Sequence, residues 1–459
     1  MSIVIDALKL ASFLSGGFLY LFGNGWGIIF LLIKKAKVEQ QGNLPKIIPL
    51  AWMSGLIINL GLALIIQSLP IALLVGVLNA LFGLGHFFLY LRRGVRDNKI
   101  VYGSMNGWIG ILFVMLIFLS RVMISPISGW DARTIWFYHA KLIYFSQSIG
   151  LDAGWLSASV MPSHFDYPKL ISLLAAQVAF VAGFWNEYLP KLALFFIFSP
   201  GLMLLLGQAK WRLSSVLLFL LVPLSFERVL WNGYMDGYLA LYAALAAFFL
   251  GKYSISTSFW DLISGLLSTT LLLYVKNEGM LAVLAILSLT ILFFYWQNRR
   301  SLAKFGEILQ PQYLLPFLLL WLPMLLWQWY KAQWGLSNDL KLGSNDSLAM
   351  LQSRMTDGSY HFIFESLHTH LNTALSLTGL LLLALIIWKV KFPKSAYLPI
   401  SIAISYSLGM ALVYFVTPHD LYWHIQTSVG RTMLVANAFF FVAAYFMFDE
   451  IESKHFQPN

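Results

Sequence analysis

The sequence predicts an all-α polytopic membrane protein, and three observations predict it. Of 459 residues, 59% are hydrophobic and 11% charged, with a mean hydropathy of +0.74. A water-soluble chain of this length needs far more charge to cover its surface. The apolar residues gather in runs close to the ~20 residues that carry a helix across a hydrocarbon core. The basic residues fall in alternate connections between those runs, the pattern that orients a multi-span protein. Together these exclude a soluble enzyme, a disordered chain and a nucleic-acid binder, and the net charge of +10 reads as topology. With no cysteine there is neither a disulfide framework nor a thiolate metal site. Asp6 and Lys9 open the chain without a basic n-region and no small-residue cleavage site follows, so no cleavable signal is expected.

Spanning runs are expected near 10–33, 47–67, 70–91, 103–124, 189–207, 213–229, 234–251, 260–275, 279–296, 312–330, 371–388, 396–416 and 431–448, about thirteen crossings. Lys34, Lys35, Lys37 and Lys46 share one connection, and Arg92, Arg93, Arg96 and Lys99 the next but one. Lys210 with Arg212, then Lys252, then Arg299, Arg300 and Lys304, then Lys389, Lys391 and Lys394 continue the series. The positive-inside rule makes these cytoplasmic. The intervening connections face outward, including the two longest, 125–168 and 331–370.

The apolar run 169–184 is shorter than the others. Only an odd number of crossings connects the outer loop before it to Lys210 and Arg212 on the inner side. It is therefore expected to dip into or lie along the outer leaflet, which puts the N-terminus outside and the C-terminus in the cytoplasm. A fourteenth true span, with Lys210 and Arg212 outside, is the alternative. Residues 1–100 hold few ionisable groups beyond their basic connections and read as an accessory helical module ahead of 101–459.

Once the stack is oriented, the chemically interesting residues collect on the outer side. They include Asp131, Arg133, His139, Lys141, His164, Asp166, Tyr167, Lys169, Glu227, Arg228, Asp236, Lys276, Glu278, His419, Asp420, His424 and Arg431. Ionisable groups at membrane depth are expensive, which makes such a cluster a functional hypothesis. Segment 129–141, Gly-Trp-Asp-Ala-Arg-Thr-Ile-Trp-Phe-Tyr-His-Ala-Lys, has the composition of a helix at headgroup level. As a helix it sets Trp130, Thr134 and Phe137 on one side and Asp131, Ile135 and Tyr138 on another. Asp131, just past a span, is either a helix N-cap or a proton acceptor whose pKa the low dielectric raises. Segment 164–170, His-Phe-Asp-Tyr-Pro-Lys-Leu, puts Pro168 at the first turn of the short helix. The helix N-terminus and Lys169 then suit a phosphate, unless Lys169 snorkels to lipid headgroups.

Lys276 and Glu278 most simply form a structural pair, ahead of substrate contact, and Asp236 caps the next helix or reaches the site. Arg431, near the outer end of the last span, suits bidentate phosphate binding. His419, Asp420 and His424 lack a further ligand at metal spacing, and His361, His368 and His370 sit in a polar loop; a divalent metal is not favoured and no cofactor is assigned.

The order of these motifs resembles bacterial members of the GT-C superfamily of glycosyltransferases, with the protein O-mannosyltransferases and lipid A aminoarabinose transferases as related branches. The resemblance rests on Asp-Ala-x-x-Ile-Trp-x-x-x-Ala-Lys at 131–141, Asp-Tyr-Pro-Lys-Leu at 166–170 and Gly-Phe-Trp-Asn-Glu at 183–187. It continues in Gly-Tyr-Met-Asp-Gly at 233–237, Lys-Asn-Glu-Gly at 276–279 and Thr-Pro-His-Asp-Leu-Tyr-Trp-His with Thr-Ser-x-x-Arg at 417–431. It covers roughly 103–448 and implies a GT-C-like bundle whose first large outer loop carries juxtamembrane helices. It implies a sugar donor on a polyprenyl phosphate, with Asp131 as base and Lys169, Arg431 and Arg133 at the donor phosphate. Some branches carry two adjacent acids where this chain has Asp131-Ala132, and many have one helix before the loop where three precede it here.

The function these readings predict is an inverting transfer of a sugar from a polyprenyl-phosphate donor to an acceptor hydroxyl on a lipid, glycan or protein. It takes place on the extracytoplasmic face of a bacterial inner membrane, with His164, Asp166, Tyr167, Asp236, Lys276, Glu278, His419, Asp420 and His424 as substrate-binding candidates. The alternatives are a flippase or transporter of lipid-linked sugars, which spreads polar groups through both membrane halves and often repeats its halves, and an O-antigen polymerase or ligase. The last would be expected to use arginine-rich outer loops, whereas 331–370 holds only Arg354.

Overall fold

A computed structural model describes residues 2–35, 42–96, 100–102, 105–208, 213–215, 231–297, 310–336 and 345–455. Among these the chain is helical, apart from a two-residue parallel ladder pairing Gly42–Asn43 with Ile100–Val101 and a single bridge between Ser68 and Ser148. The helices are α1 (Ser2–Lys35), α2 (Leu44–Ile66), α3 (Leu69–Arg96), α4 (Met105–Met123), α5 (Phe137–Ser146), α6 (Leu170–Ala182), α7 (Leu192–Leu206) and α8 (Asp236–Ser256). They continue as α9 (Phe259–Val275), α10 (Gly279–Gln297), α11 (Pro311–Trp334), α12 (Asn345–Thr356), α13 (Ser359–Ile387), α14 (Lys394–Val416) and α15 (Leu421–His455).

Nine helices among the described residues are long and apolar enough to cross a membrane. They fall on α1, α2, α3, α7, α8, α10, α13, α14 and α15, each over a run expected to span. The chain is thus a helical, multi-pass membrane protein by length and composition. Three further apolar helices are shorter: Gly107–Met123, Leu170–Ala182 and Phe259–Val275. The expected span at 312–330 is α11, a continuous helix that carries Pro316 and Pro323 within it and is not among the nine. The expected span at 213–229 lies, beyond its first three residues, outside the described residues, as do Lys37, Lys99, Lys210, Arg212, Glu227, Arg228, Arg299, Arg300 and Lys304. Helix α6, 13 residues long, rises about 20 Å, short of the ~30 Å hydrocarbon core.

The polar stretch 331–370 is not a loop where it is described. Residues 345–356 form α12, and α13 begins at Ser359, so His361, His368 and His370 lie on a continuous helix. Polar side chains do not break a helix whose apolar face persists, and Ile363, Leu367, Leu371 and Ala374 keep that face buried at helical spacing. The last span likewise extends well past its apolar stretch at both ends.

The chain divides into two compact units, the first comprising Met1–Gln208, Trp231–Gly233 and Ala303–Leu336, and the second Ala209–Leu230, Tyr234–Leu302 and Ser337–Asn459. In the first unit, α1 and α2 meet backbone to backbone. A Cβ on Gly25 would strike Ala51, and one on Gly55 would strike Leu21, the small-residue contact by which lipid-embedded helices pack. Tyr20 donates to Asn59 Oδ1 at 2.7 Å, and Asn59 and Gln177 exchange hydrogen bonds at 2.8 and 2.9 Å, joining α1, α2 and α6. The α2–α3 connection docks on the first long loop: Leu69 N donates to Gln147 O at 2.8 Å, Ile149 N to Gln67 O at 3.1 Å and Ser148 Oγ to Gln67 O at 2.9 Å. Residues 1–100 therefore share a unit with the 125–168 loop and brace it.

In the second unit α8 is buried along most of its length and packs against α9, α14 and α15. Phe248 and Phe446 stack at 5.5 Å, and a Cβ on Gly251 would meet the Ser395 carbonyl at 2.7 Å. Large apolar side chains stay exposed on α3 and α13, Phe82 and Ile386 among them, as a surface against lipid requires and a surface against water does not favour.

Candidate active site

The first long loop begins as a helix at Trp130, and residues Ala132–Trp136 wind as a π-helical turn before α5. Such turns widen the helix by one residue and occur often at functional sites. This one turns Phe137 into the protein interior, away from the side that Trp130 and Thr134 occupy. Asp131 heads the π turn but makes no side-chain capping bond, so the N-cap reading has no hydrogen bond behind it.

Asp131 lines a cavity of about 450 Å³. Its near wall is the π-turn segment, with Arg133, Thr134 and Tyr138; its far wall is Ser159, Ser163 and His164, and Trp130 stands at the rim, 74% exposed. Arg133 also lines a second cavity of about 310 Å³ with Lys141 and Glu187, which form an ion pair at 2.9 Å. Arg133 thus sits on the ridge between two cavities. His164 holds a left-handed backbone (φ 52°) and its ring stacks on Tyr167 at 5.0 Å.

Behind the far wall is a buried polar chain. Lys169, 1% exposed, is the N-cap residue ahead of α6; Pro168 precedes it, two residues before the first helical residue Leu170 and so outside the first turn expected for it. The ammonium would be repelled by the positive helix end and folds inward. It donates to Phe165 O at 2.8 Å, contacts His139 Nδ1 at 3.2 Å and lies over the Trp155 and Trp327 rings at 4.2 and 5.0 Å. Cation–π contacts of this kind strengthen away from water. Burial pushes the Lys169 ammonium well below its ordinary pKa, Asp166 opposes that shift and Lys331 adds to it. Asp166 is itself buried, and its carbonyl accepts from Trp327 Nε1 at 3.1 Å.

His139 completes the chain, its Nε2 2.9 Å from Ser163 Oγ, which donates to Val160 O. The protons can be placed by elimination. Ser163 has one hydrogen, and the Val160 carbonyl can only accept it. His139 Nε2 must then carry a hydrogen and donate to Ser163. Burial, then Lys169, then His164 hold the imidazole well below its ordinary pKa, so the ring is neutral, Nδ1 accepts, and Lys169 donates to it. The ammonium expected at a donor phosphate is occupied within the protein.

The other predicted residues belong to the second unit. Lys276 Nζ bridges Asp236 Oδ1 at 3.0 Å and Glu278 Oε1 at 2.8 Å. Asp236 is the first residue of α8, after the N-cap Met235; its other oxygen faces Arg431 Nη1 at 3.7 Å, and Arg431 stacks over Tyr234 at 5.1 Å. Lys276 thus pairs with Glu278, as its spacing suggests, and with Asp236 as well. His419, Asp420 and His424 form a separate turn. Asp420 caps α15 by accepting from Trp423 N at 2.8 Å, and His424 Nδ1 contacts Thr417 Oγ1 at 2.8 Å. Among the described residues no three His, Asp or Glu side chains gather as a metal site.

No family model, curated protein or solved structure matches this chain. The site must therefore be read from its own chemistry. Sequence reasoning noted His139 and Thr134 without giving either a role and passed over Ser163, Trp155 and Trp327. Trp327 lies more than 150 residues from its partner Asp166, and no local spacing signals such a contact.

Proposed function

We propose that this protein is an inverting membrane glycosyltransferase, moving a sugar from a polyprenyl-phosphate donor to an acceptor hydroxyl at the extracytoplasmic face of a bacterial inner membrane. The observation that carries the reading is the sharing of one cavity by the Asp131 carboxylate and the Arg133 guanidinium at the head of the first long loop. The motif order resembling GT-C enzymes supports it, as does the multi-pass apolar frame that a lipid-borne donor requires.

In this reading the acceptor oxygen attacks the anomeric carbon as its proton passes to Asp131. The bond from that carbon to the phosphate oxygen breaks, and the phosphate leaves with the electron pair. Arg133, on the ridge between the cavities, stabilises the charge that builds on it. Of the cations expected at the phosphate, Arg133 is the one kept, because Lys169 has committed its hydrogens and Arg431 is engaged with Asp236 and Tyr234.

The test is incubation of the purified, reconstituted protein with a panel of polyprenyl-phosphate sugars, following release of free lipid phosphate. Release from at least one donor, increased by an added acceptor, is expected. No release from any donor overturns the reading.

A further inference from the structure

Apart from the cavity beside Asp131, the first unit holds a groove of about 360 Å³ between α1, α3, α6 and α7, and the two share no lining residue. Leu21, Leu174 and Phe196 form its buried floor, and Gly16, Val77 and Val181 line it on the exposed side. Glycines make the room. A Cβ on Gly17 would strike the Phe196 ring, whereas one on Gly16 would meet nothing within 4 Å. Among the described residues none that lines the groove carries a charged side chain. Tyr20 and Gln177 are both engaged with Asn59: Tyr20 donates to its Oδ1 at 2.7 Å, and Gln177 and Asn59 exchange hydrogen bonds at 2.8 and 2.9 Å. Ser12, the remaining polar side chain, is exposed. An apolar cavity of this kind stays dry, and a charged or sugar-like ligand finds no charge there to recognise it.

The surroundings point to what fills the groove. Helices α1, α3 and α7 are long and apolar enough to cross a membrane. The open side continues into the apolar face of α3, where Leu74 and Leu78, each 60% exposed, flank Val77. The medium at the mouth is therefore hydrocarbon, and a void left there forfeits dispersion contacts that a chain recovers. A further helix does not fit, because one turn about 10 Å across and ~5.4 Å tall already takes roughly 420 Å³. We propose that this groove holds an acyl chain of a membrane phospholipid, filling the seam where the N-terminal helices α1 and α3 meet α6 and α7. With no charged residue on its walls the groove selects a lipid by its chain alone, which suits a phospholipid better than a polyprenyl phosphate, whose phosphate calls for a cation. The site does not depend on the transferase reading.

The test is a count of retained lipid. The full chain is equilibrated with vesicles of palmitoyl-oleoyl phosphatidylethanolamine and phosphatidylglycerol containing a polyprenyl phosphate. It is then extracted, washed in lipid-free detergent and weighed by native mass spectrometry. The wild type should keep bound phospholipid through the wash. Gly16→Phe and, from α6, Val181→Trp put bulk into the groove and should lose that lipid. Leu81→Trp, on the exposed face of α3 but outside the groove, should keep it. No retained phospholipid, or retention by Gly16→Phe and Val181→Trp equal to the wild type's, overturns the proposal. So does finding that the species these two variants lose is the polyprenyl phosphate or a second copy of the chain.

Discussion

Lys169 and His139 carry a consequence that can be measured in the stability of the protein. The folded imidazole has a pKa well below 6.5, held there by burial and by Lys169. As pH falls below about 6.5 the unfolded chain takes up a proton that the folded one refuses, so stability is lost down to the folded pKa, at up to about 1.4 kcal/mol per pH unit. The thermal unfolding midpoint should drop between pH 7 and pH 5 more steeply in the wild type than in His139→Gln; equal slopes contradict the buried neutral imidazole. Lys276 makes a second case. It is the shared cation of Asp236 and Glu278, and Asp236 is 3% exposed at its side chain. Lys276→Met should cost about 3–5 kcal/mol, because removing one partner leaves buried charge uncompensated; a denaturation midpoint like the wild type's would contradict it. The pairing of Lys276 with Glu278 was legible from adjacency. The inward fold of Lys169 was not, because its partners Trp155 and Trp327 come from a distant turn and a distant helix.

At the scale of elements, the π turn at Ala132–Trp136 is the feature that orients Asp131, and its support comes from outside the loop. Gly233 holds φ +81°, and a Cβ there would meet Ala132 Cβ at 2.5 Å. Gly233→Ala should therefore displace the turn and cost about 1–2 kcal/mol for the left-handed backbone alone. Transfer should fall with insertion preserved, read as lipid-phosphate release normalised to inserted protein; undiminished release would detach the turn from the site. Apolar runs revealed most helices because lipid leaves the backbone no alternative to hydrogen bonding within itself. The same logic failed at 331–370, where α12 and the start of α13 are polar enough to read as loop yet keep a buried stripe. The π turn was invisible in the sequence, since one added residue per turn leaves no periodic mark in so short a segment.

For the whole molecule, nine long apolar helices among the described residues and the broad exposed apolar surface make the chain a multi-pass membrane protein by length and composition. The basic connections predict its orientation. Reporter tags at positions 40 and 345 should therefore lie on opposite sides of the membrane, and the same side for both would break the assignment of outer and inner loops. The N-terminal hundred residues looked separable because their sequence carries little chemistry. The structure ties them to the first long loop by backbone hydrogen bonds, Leu69 N donating to Gln147 O and Ile149 N to Gln67 O, which any residue but proline could make.

The central claim is that Asp131 takes the acceptor's proton. The most direct measurement compares lipid-phosphate release by the wild type and Asp131→Asn, inserted to equal levels and given the same donor and acceptor. A fall of about 10²–10⁴-fold, the range for loss of a general base, is the predicted result, and near-normal turnover by Asp131→Asn would contradict the account.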